Sequence, residues 1–278
     1  MLDFGMYDNL GRSPLEQVAY AIDDNLPELK SIVRLCSANN ISPKKFSALS
    51  KAKPYLKQAT EDDILIVDNR LDGVRNLAAL GRSDIDTDSG NLAGFRILTS
   101  FCDDADVKAG LRILWSGYAI EGVLRQCERQ RERGVNLHAF RKNDDNDLAD
   151  CEQVIHDFRL ERHRLFVGRK LEYVEGLFDE WQLSAEHRAL FFGFPDASDS
   201  VWREIHEGTG SMDVELRCDL IHEIQLTLDA IYGENDPAGQ AAWFDTPIDD
   251  LGNRTPKEFL GEGQVLALMQ LARAMEGP

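Results

Sequence analysis

Asp23 and Asp24 close one apolar run, Val18-Ala19-Tyr20-Ala21-Ile22, and Asp68 closes another, Ile64-Leu65-Ile66-Val67. Short apolar runs bounded by polar residues suit buried parallel strands, and parallel neighbours end at the same edge of their sheet. Three carboxylates at one edge repel one another unless a cation neutralises them. Hard oxygen ligands with no Cys or His beside them in the chain suit Mg²⁺ rather than zinc. Two further runs follow: Leu111-Arg112-Ile113-Leu114-Trp115 ends at Ser116, and Val135-Asn136-Leu137-His138-Ala139-Phe140 leads to Lys142. Each residue alone has an ordinary explanation. Acids cap strand ends in many α/β proteins, a lone Ser is a turn residue, and a lone Lys is a solvated surface group. In this order, each behind a strand, they have the make-up of a site where a carboxylate accepts a phosphoryl group.

On these residues the first part of the chain resembles the receiver domain of two-component response regulators. VAYAIDDNLPEL resembles the family's first strand and acid pair, and DDILIVDNRLDG its phosphoacceptor strand and following loop. ILWSGYA resembles the fourth strand with its hydroxyl residue, and NLHAFRK the fifth with its Lys. The step from Asp24 to Asp68 is the usual family spacing, and the resemblance covers roughly residues 14 to 160. It implies that Asp68 is the phosphoacceptor, that Ser116 and Lys142 contact the phosphoryl oxygens, and that Asp23, Asp24, Asp68 and the backbone carbonyl of Arg70 hold Mg²⁺. It implies no turnover enzyme beyond self-phosphorylation from a phosphodonor, and a histidine kinase or phosphotransfer protein as partner.

Four features depart from the family pattern. Asp72 stands where a Pro is usual, and Asn143 follows Lys142 where Pro normally enforces a tight turn. The interval from Asp68 to Ser116 is longer than the family norm, and segment 74–91, VRNLAALGRSDIDTDSGN, accounts for the surplus. Its second half is rich in Asp, Ser and Gly and lacks apolar periodicity, so it reads as an inserted loop beside the active edge. Three residues before Lys142, where the family has an aromatic that moves on activation, stands Ala139, with Phe140 next to it. That departure bears on how the usual switch would operate.

The chain has 278 residues and a net charge of −18, with 43% hydrophobic and 29% charged residues. These values fit two globular domains. No apolar stretch approaches membrane-spanning length and the N-terminus has no signal pattern, so a cytoplasmic location with no membrane association is expected. The five Cys form no CxxC pair and read as free thiols of a reducing compartment. The six His form no HxxxH or HExxH spacing, which argues against a second, metal-dependent catalytic centre.

Alternation of apolar runs with helical segments at 26–37, 92–102 and 117–133 predicts a doubly wound, five-stranded parallel sheet of the flavodoxin-like class over residues 1–146. The second strand is weakly written, somewhere in 41–49. Residues 147–182 contain no Pro and carry apolar residues at helical spacing, so they read as a connecting helix or helical pair. Its apolar stripe packs on a neighbouring domain or forms a homodimer seam. From 183 to 278 the pattern is all-helical.

This last region resembles the toxin-binding domain of MbcA/ParS/Xre-type antitoxins. The resemblance rests on Tyr232-Gly233 closing a helix, Trp243, Pro247, the turn Gly252-Asn253-Arg254-Thr255-Pro256 and a final helix at 264–275. Gly252 suits the turn, Thr255 the cap and Pro256 the first helical position. Residues 183–212 resemble that family's degenerate helix-turn-helix. The resemblance implies a protein partner, of the RES toxin type, engaged through a surface shaped by Trp243, Thr255 and Pro256. Residues 151–278 hold 11 basic and 25 acidic side chains. That charge opposes a polyanion, so a protein and not DNA is the expected partner. The alternative, a DNA-binding transcriptional regulator of the Xre-like class, would need the stretch 199–208 to read bases. It offers Arg203 against Asp199, Glu204 and Glu207.

Overall fold

The computed structural model describes residues 16–71, 92–102, 107–117, 121–142, 144–194, 198–208, 212–233, 236–260 and 265–275. The inserted segment 74–91, Asp72 and Asn143 lie outside them.

Five parallel strands form one sheet: β1 (Val18–Ile22), β2 (Ser42–Phe46), β3 (Ile64–Asp68), β4 (Leu111–Ser116) and β5 (Leu137–Arg141), in the order β2-β1-β3-β4-β5. The central strands β1 and β3 are buried at every position. That is why they read as unbroken apolar runs instead of alternating ones. Among the described residues β2 has a partner on one side only, β1. An edge strand tolerates Pro43 and the two lysines of Ser-Pro-Lys-Lys-Phe, and this polar composition hides it in the sequence.

Successive strand residues serve opposite cores. Tyr20, Ile22, Leu65, Val67 and Leu114 face a cluster completed by α2 (Leu49–Leu56), α3 (Ala93–Cys102) and α4 (Glu121–Glu132). Ala19, Ala21, Ile66, Ile113 and Trp115 face Ile32, Leu35 and Cys36 of α1 (Lys30–Ala38) and Cys151, Ile155 and Phe158 of α5 (Asp145–Glu180). The sheet is therefore covered by helices on both faces. A 3₁₀ turn, Leu26–Leu29, precedes α1.

The segment expected to connect the domains is one continuous helix, α5. The chain divides into two compact units between Arg162 and His163, inside this helix. The apolar stripe consequently serves two cores. Its first part belongs to the sheet unit, and Val167, Leu171, Tyr173, Val174, Leu177 and Phe178 belong to the helical one. In the second unit α5 is tied to α8 (Met212–Tyr232) by Lys170, whose ammonium donates to Glu215 at 3.1 Å and Asp219 at 2.7 Å.

The helical unit also contains α6 (Ala185–Phe191), α7 (Asp199–Glu207), α9 (Pro237–Asp245), α10 (Pro256–Leu260) and α11 (Val265–Met275). α8 ends at Tyr232, and Gly233 follows at φ +91°, a left-handed conformation that Gly adopts without steric cost. No helix among the described residues is long and apolar enough to cross a membrane.

Candidate functional site

The parallel register brings the residues that follow β1, β3, β4 and β5 to one edge. Ile22 pairs with Val67, Asp68 with Trp115, and Ser116 with Arg141. Asp23 and Asp68 are buried there (0% and 4% exposed), Ser116 is buried at the end of β4, and Asp24 is exposed. One oxygen from each of Asp23, Asp24 and Asp68 lies within 4.8 Å of the others. All three carboxylates anticipated from the sequence thus converge.

Lys142 joins them across the sheet. Its Nζ donates to Asp23 Oδ2 at 2.8 Å and pairs with Asp68 Oδ1 at 2.9 Å. Its backbone N–H donates to the Ser116 carbonyl at 2.7 Å, which fastens the end of β5 to the end of β4. The second oxygen of each buried acid is held by its own loop. Asp23 Oδ1 accepts from the Asn25 backbone N–H at 2.8 Å, and Asp68 Oδ2 from that of Arg70 at 3.1 Å. Arg70, whose backbone carbonyl was expected as a ligand, therefore sits in the turn that orients Asp68.

Two participants were not visible in the sequence. Glu28, on the 3₁₀ turn, accepts from Lys142 Nζ at 2.8 Å. Gly94, in the first turn of α3, donates its N–H to the Asn69 carbonyl at 3.1 Å, and a Cβ there would overlap the Asp68 carbonyl. α3 can pack against the Asp68 loop only because position 94 lacks a side chain. The Asn69 side chain adds a bond from the Phe95 N–H at 3.3 Å. The single clue to Glu28 was its nearness in sequence to the acid pair. Nothing in the sequence pointed to Gly94.

Burial pushes the Asp23 and Asp68 carboxyls above the ordinary 3.8, against the pull of Lys142. Burial also works against the charge on Lys142, yet its three carboxylate partners outweigh that and hold it above the usual lysine value. Three carboxylates (Asp23, Glu28, Asp68) share one ammonium, and a fourth, Asp24, lies within 4.8 Å of Asp23 and Asp68. The excess negative charge and the all-oxygen donor set fit a hard divalent cation. Chemically, the site can hold such a cation and present the Asp68 carboxylate to an electrophile.

Ala139 and Phe140 of β5 are both buried: Ala139 lies in the cluster under α2, α3 and α4, and Phe140 in the one under α1 and α5.

In the helical unit the turn expected at 252–256 is present. Gly252 is left-handed at φ +70°. Thr255 Oγ1 accepts from the Glu258 N–H at 3.1 Å while Glu258 Oε2 accepts from the Thr255 N–H at 2.8 Å, a reciprocal cap for α10, which starts at Pro256. Trp243 and Pro256 are buried and Thr255 is half-buried. Trp243, 2% exposed, is a core residue that could shape a surface only from beneath. No family model, no curated protein and no solved structure matches the chain, so the reading of this site rests on its geometry.

Proposed function

We propose that this chain is a two-component response regulator. A flavodoxin-like receiver accepts a phosphoryl group on Asp68 from a histidine kinase or phosphotransfer protein, and thereby controls a protein–protein interaction of the C-terminal helical domain. The observation that carries this reading is the Lys142 ammonium bridging the buried carboxylates of Asp23 and Asp68 at 2.8 and 2.9 Å, at the edge where β1, β3 and β5 end. An Asp68 oxygen attacks the donor phosphorus, the bond from phosphorus to the donor breaks with its electrons leaving on the donor, and a mixed anhydride remains. Such transfer depends mainly on positioning and on neutralising the equatorial oxygens. Lys142 supplies a fixed positive charge and Ser116 a hydroxyl donor at the same edge. Asp23, Asp24 and Asp68 would hold Mg²⁺, with the Arg70 carbonyl as a further ligand, and the ion would neutralise phosphoryl charge.

For the output, the acidic α7 supports a protein partner over DNA: Arg203 shares its exposed surface with Asp199, Glu204 and Glu207. Met212 and Leu216, 83% and 57% exposed and one turn apart on α8, add apolar surface. By the antitoxin resemblance the partner is a RES-type toxin.

The test is incubation of the full chain with acetyl phosphate and Mg²⁺, followed by mapping of the modified residue. One acid-stable, base-labile adduct at Asp68 is expected, and an adduct elsewhere would sink the reading. Sequence-preferring duplex binding by the full chain at near-physiological salt would replace the protein-partner output with a transcriptional regulator.

Mg²⁺ binding has its own expected signature. A ligand that binds only the folded state raises Tm by mass action, so Mg²⁺ should stabilise the chain and Asp24→Ala should remove the increment. The pH dependence follows from the raised Asp23 and Asp68 values. Without metal, the folded form takes up protons on these groups before the unfolded form does. Their contribution therefore favours folding at low pH and is lost as pH rises through the folded values. Metal needs the ionised carboxylates, so the Mg²⁺ increment in Tm should be larger at neutral than at mildly acidic pH. Thermal unfolding with Mg²⁺ or chelator checks both; an unchanged increment in Asp24→Ala removes that residue from the site.

A further inference from the structure

A lysine ammonium has three N–H donors, and the site engages Lys142 with three carboxylates: Asp23 at 2.8 Å, Glu28 at 2.8 Å and Asp68 at 2.9 Å. The three partners are not equivalent. Asp23 and Asp68 are buried at the ends of β1 and β3, whereas the Glu28 side chain is 48% exposed on the 3₁₀ turn. Its second oxygen accepts from Asn25 Nδ2 at 2.6 Å, and the Asn25 backbone N–H is itself bonded to Asp23 Oδ1 at 2.8 Å. Segment 23–28 is therefore a small clasp that closes on Lys142.

If Asp68 is the phosphoacceptor, as proposed above, phosphorylation places three new acceptor oxygens and added negative charge beside an ammonium with no donor to spare. Releasing Asp23 would take the ammonium from a buried carboxylate and leave the metal alone to compensate its charge, which costs more than releasing an exposed acid. Releasing Glu28 returns a half-exposed carboxylate to water, which costs little. We propose that Glu28 is a latch on Lys142: its carboxylate occupies the third donor of the ammonium in the resting site and gives it up when Asp68 carries a phosphoryl group. The displaced turn, Leu26–Leu29, leads directly into α1. Release of Glu28 is thus a way for this chain to report phosphorylation although Ala139 replaces the family's mobile aromatic.

A latch opposes the reaction it reports. Glu28→Gln should speed Asp68 phosphorylation by acetyl phosphate in the full chain about two- to fivefold, the range of a weak, partly exposed ion pair. It should tighten binding of beryllium fluoride, a phosphoryl mimic, by a similar factor in the presence of Mg²⁺. Glu28→Asp keeps the charge but shortens the reach to Lys142, and it should accelerate the reaction as Glu28→Gln does. Should only Glu28→Gln accelerate, the effect is one of local charge and the latch is wrong. Rates unchanged in both variants mean that Lys142 yields its Asp68 bond instead, which also overturns it. Slower labelling with weaker Mg²⁺ binding makes Glu28 a metal ligand, and slower labelling with a lower Tm makes it merely structural; either result overturns the proposal. These failures are separable from failure of the receiver reading. In that case the wild-type chain would show no adduct at Asp68, and Asp68→Ala would label as wild type does.

Discussion

Asp68→Ala is expected to abolish phosphorylation by a small phosphodonor, whereas Lys142→Ala should still accept the group, more slowly, and transmit it poorly. The difference follows from chemistry. Asp68 is the nucleophile of the proposed reaction, and no neighbouring group can form the same anhydride at that position. Lys142 stabilises charge without forming a bond to phosphorus, so its loss lowers the rate without removing the pathway. The same two substitutions should act on stability in opposite senses. Asp68→Ala removes one of four mutually repelling carboxylates. Lys142→Ala leaves Asp23, Glu28 and Asp68 without the ammonium they share at 2.8–2.9 Å. Removing one partner of a buried ion pair costs about 3–5 kcal/mol. In chelator, Lys142→Ala should therefore melt well below wild type and Asp68→Ala should not, with Mg²⁺ recovering part of the Lys142→Ala loss. Intact-mass measurement of the phosphorylated chain and thermal unfolding check the pair. Labelling that survives in Asp68→Ala, or a larger Tm loss in Asp68→Ala than in Lys142→Ala, would contradict the assignment.

Trp243→Ala should unfold the helical unit while leaving the sheet unit and its Asp68 chemistry in place. Trp243 is buried on α9, with its ring 4.8 Å from that of Phe244. Phe244 packs in turn on Trp181 at 4.8 Å. Truncating a buried Trp to Ala costs about 3–5 kcal/mol through lost contacts and the cavity left behind. A domain's whole stability is on the order of 5–15 kcal/mol, so this is a large fraction of it. Near-UV circular dichroism and limited proteolysis should show loss of the helical core, while phosphodonor labelling of Asp68 persists. A Trp243→Ala chain that stays folded but loses its protein partner would make Trp243 a contact residue after all. The neighbouring Thr255–Glu258 cap offers a milder probe. Thr255→Ala removes a helix cap from the five-residue α10 and should cost about 1 kcal/mol.

The strands β1, β3 and β4 were legible in the sequence because a strand buried on both faces must be apolar throughout, and each such run stops where the chain meets a polar residue. Asp23, Asp68 and Ser116 were legible for the same reason, since they are those stopping residues; Asp24 stands next to one of them, and Lys142 follows the last strand. The absence of Pro left one helix or a helical pair open, and packing made it the single helix α5. Its division between two cores could not be anticipated, because periodicity records that a face is apolar and not what covers it. β2 was indistinct because an edge strand has one partner and half the burial. The inserted segment 74–91, read as a loop, lies outside the described residues.

The sequence by itself determined which chemical groups stand at the strand ends, since strand burial and side-chain type are local properties of the chain. The tertiary structure alone decided which of them share one proton-bearing cation and which hidden neighbours complete the site. Glu28 meets Lys142 across 114 positions of sequence. Gly94 matters because of a backbone that approaches it from another element. Trp243, whose sequence context is equally compatible with a binding surface, is placed in the core by the helices around it. Each of these depends on distances between segments far apart in the chain, and only packing sets such distances.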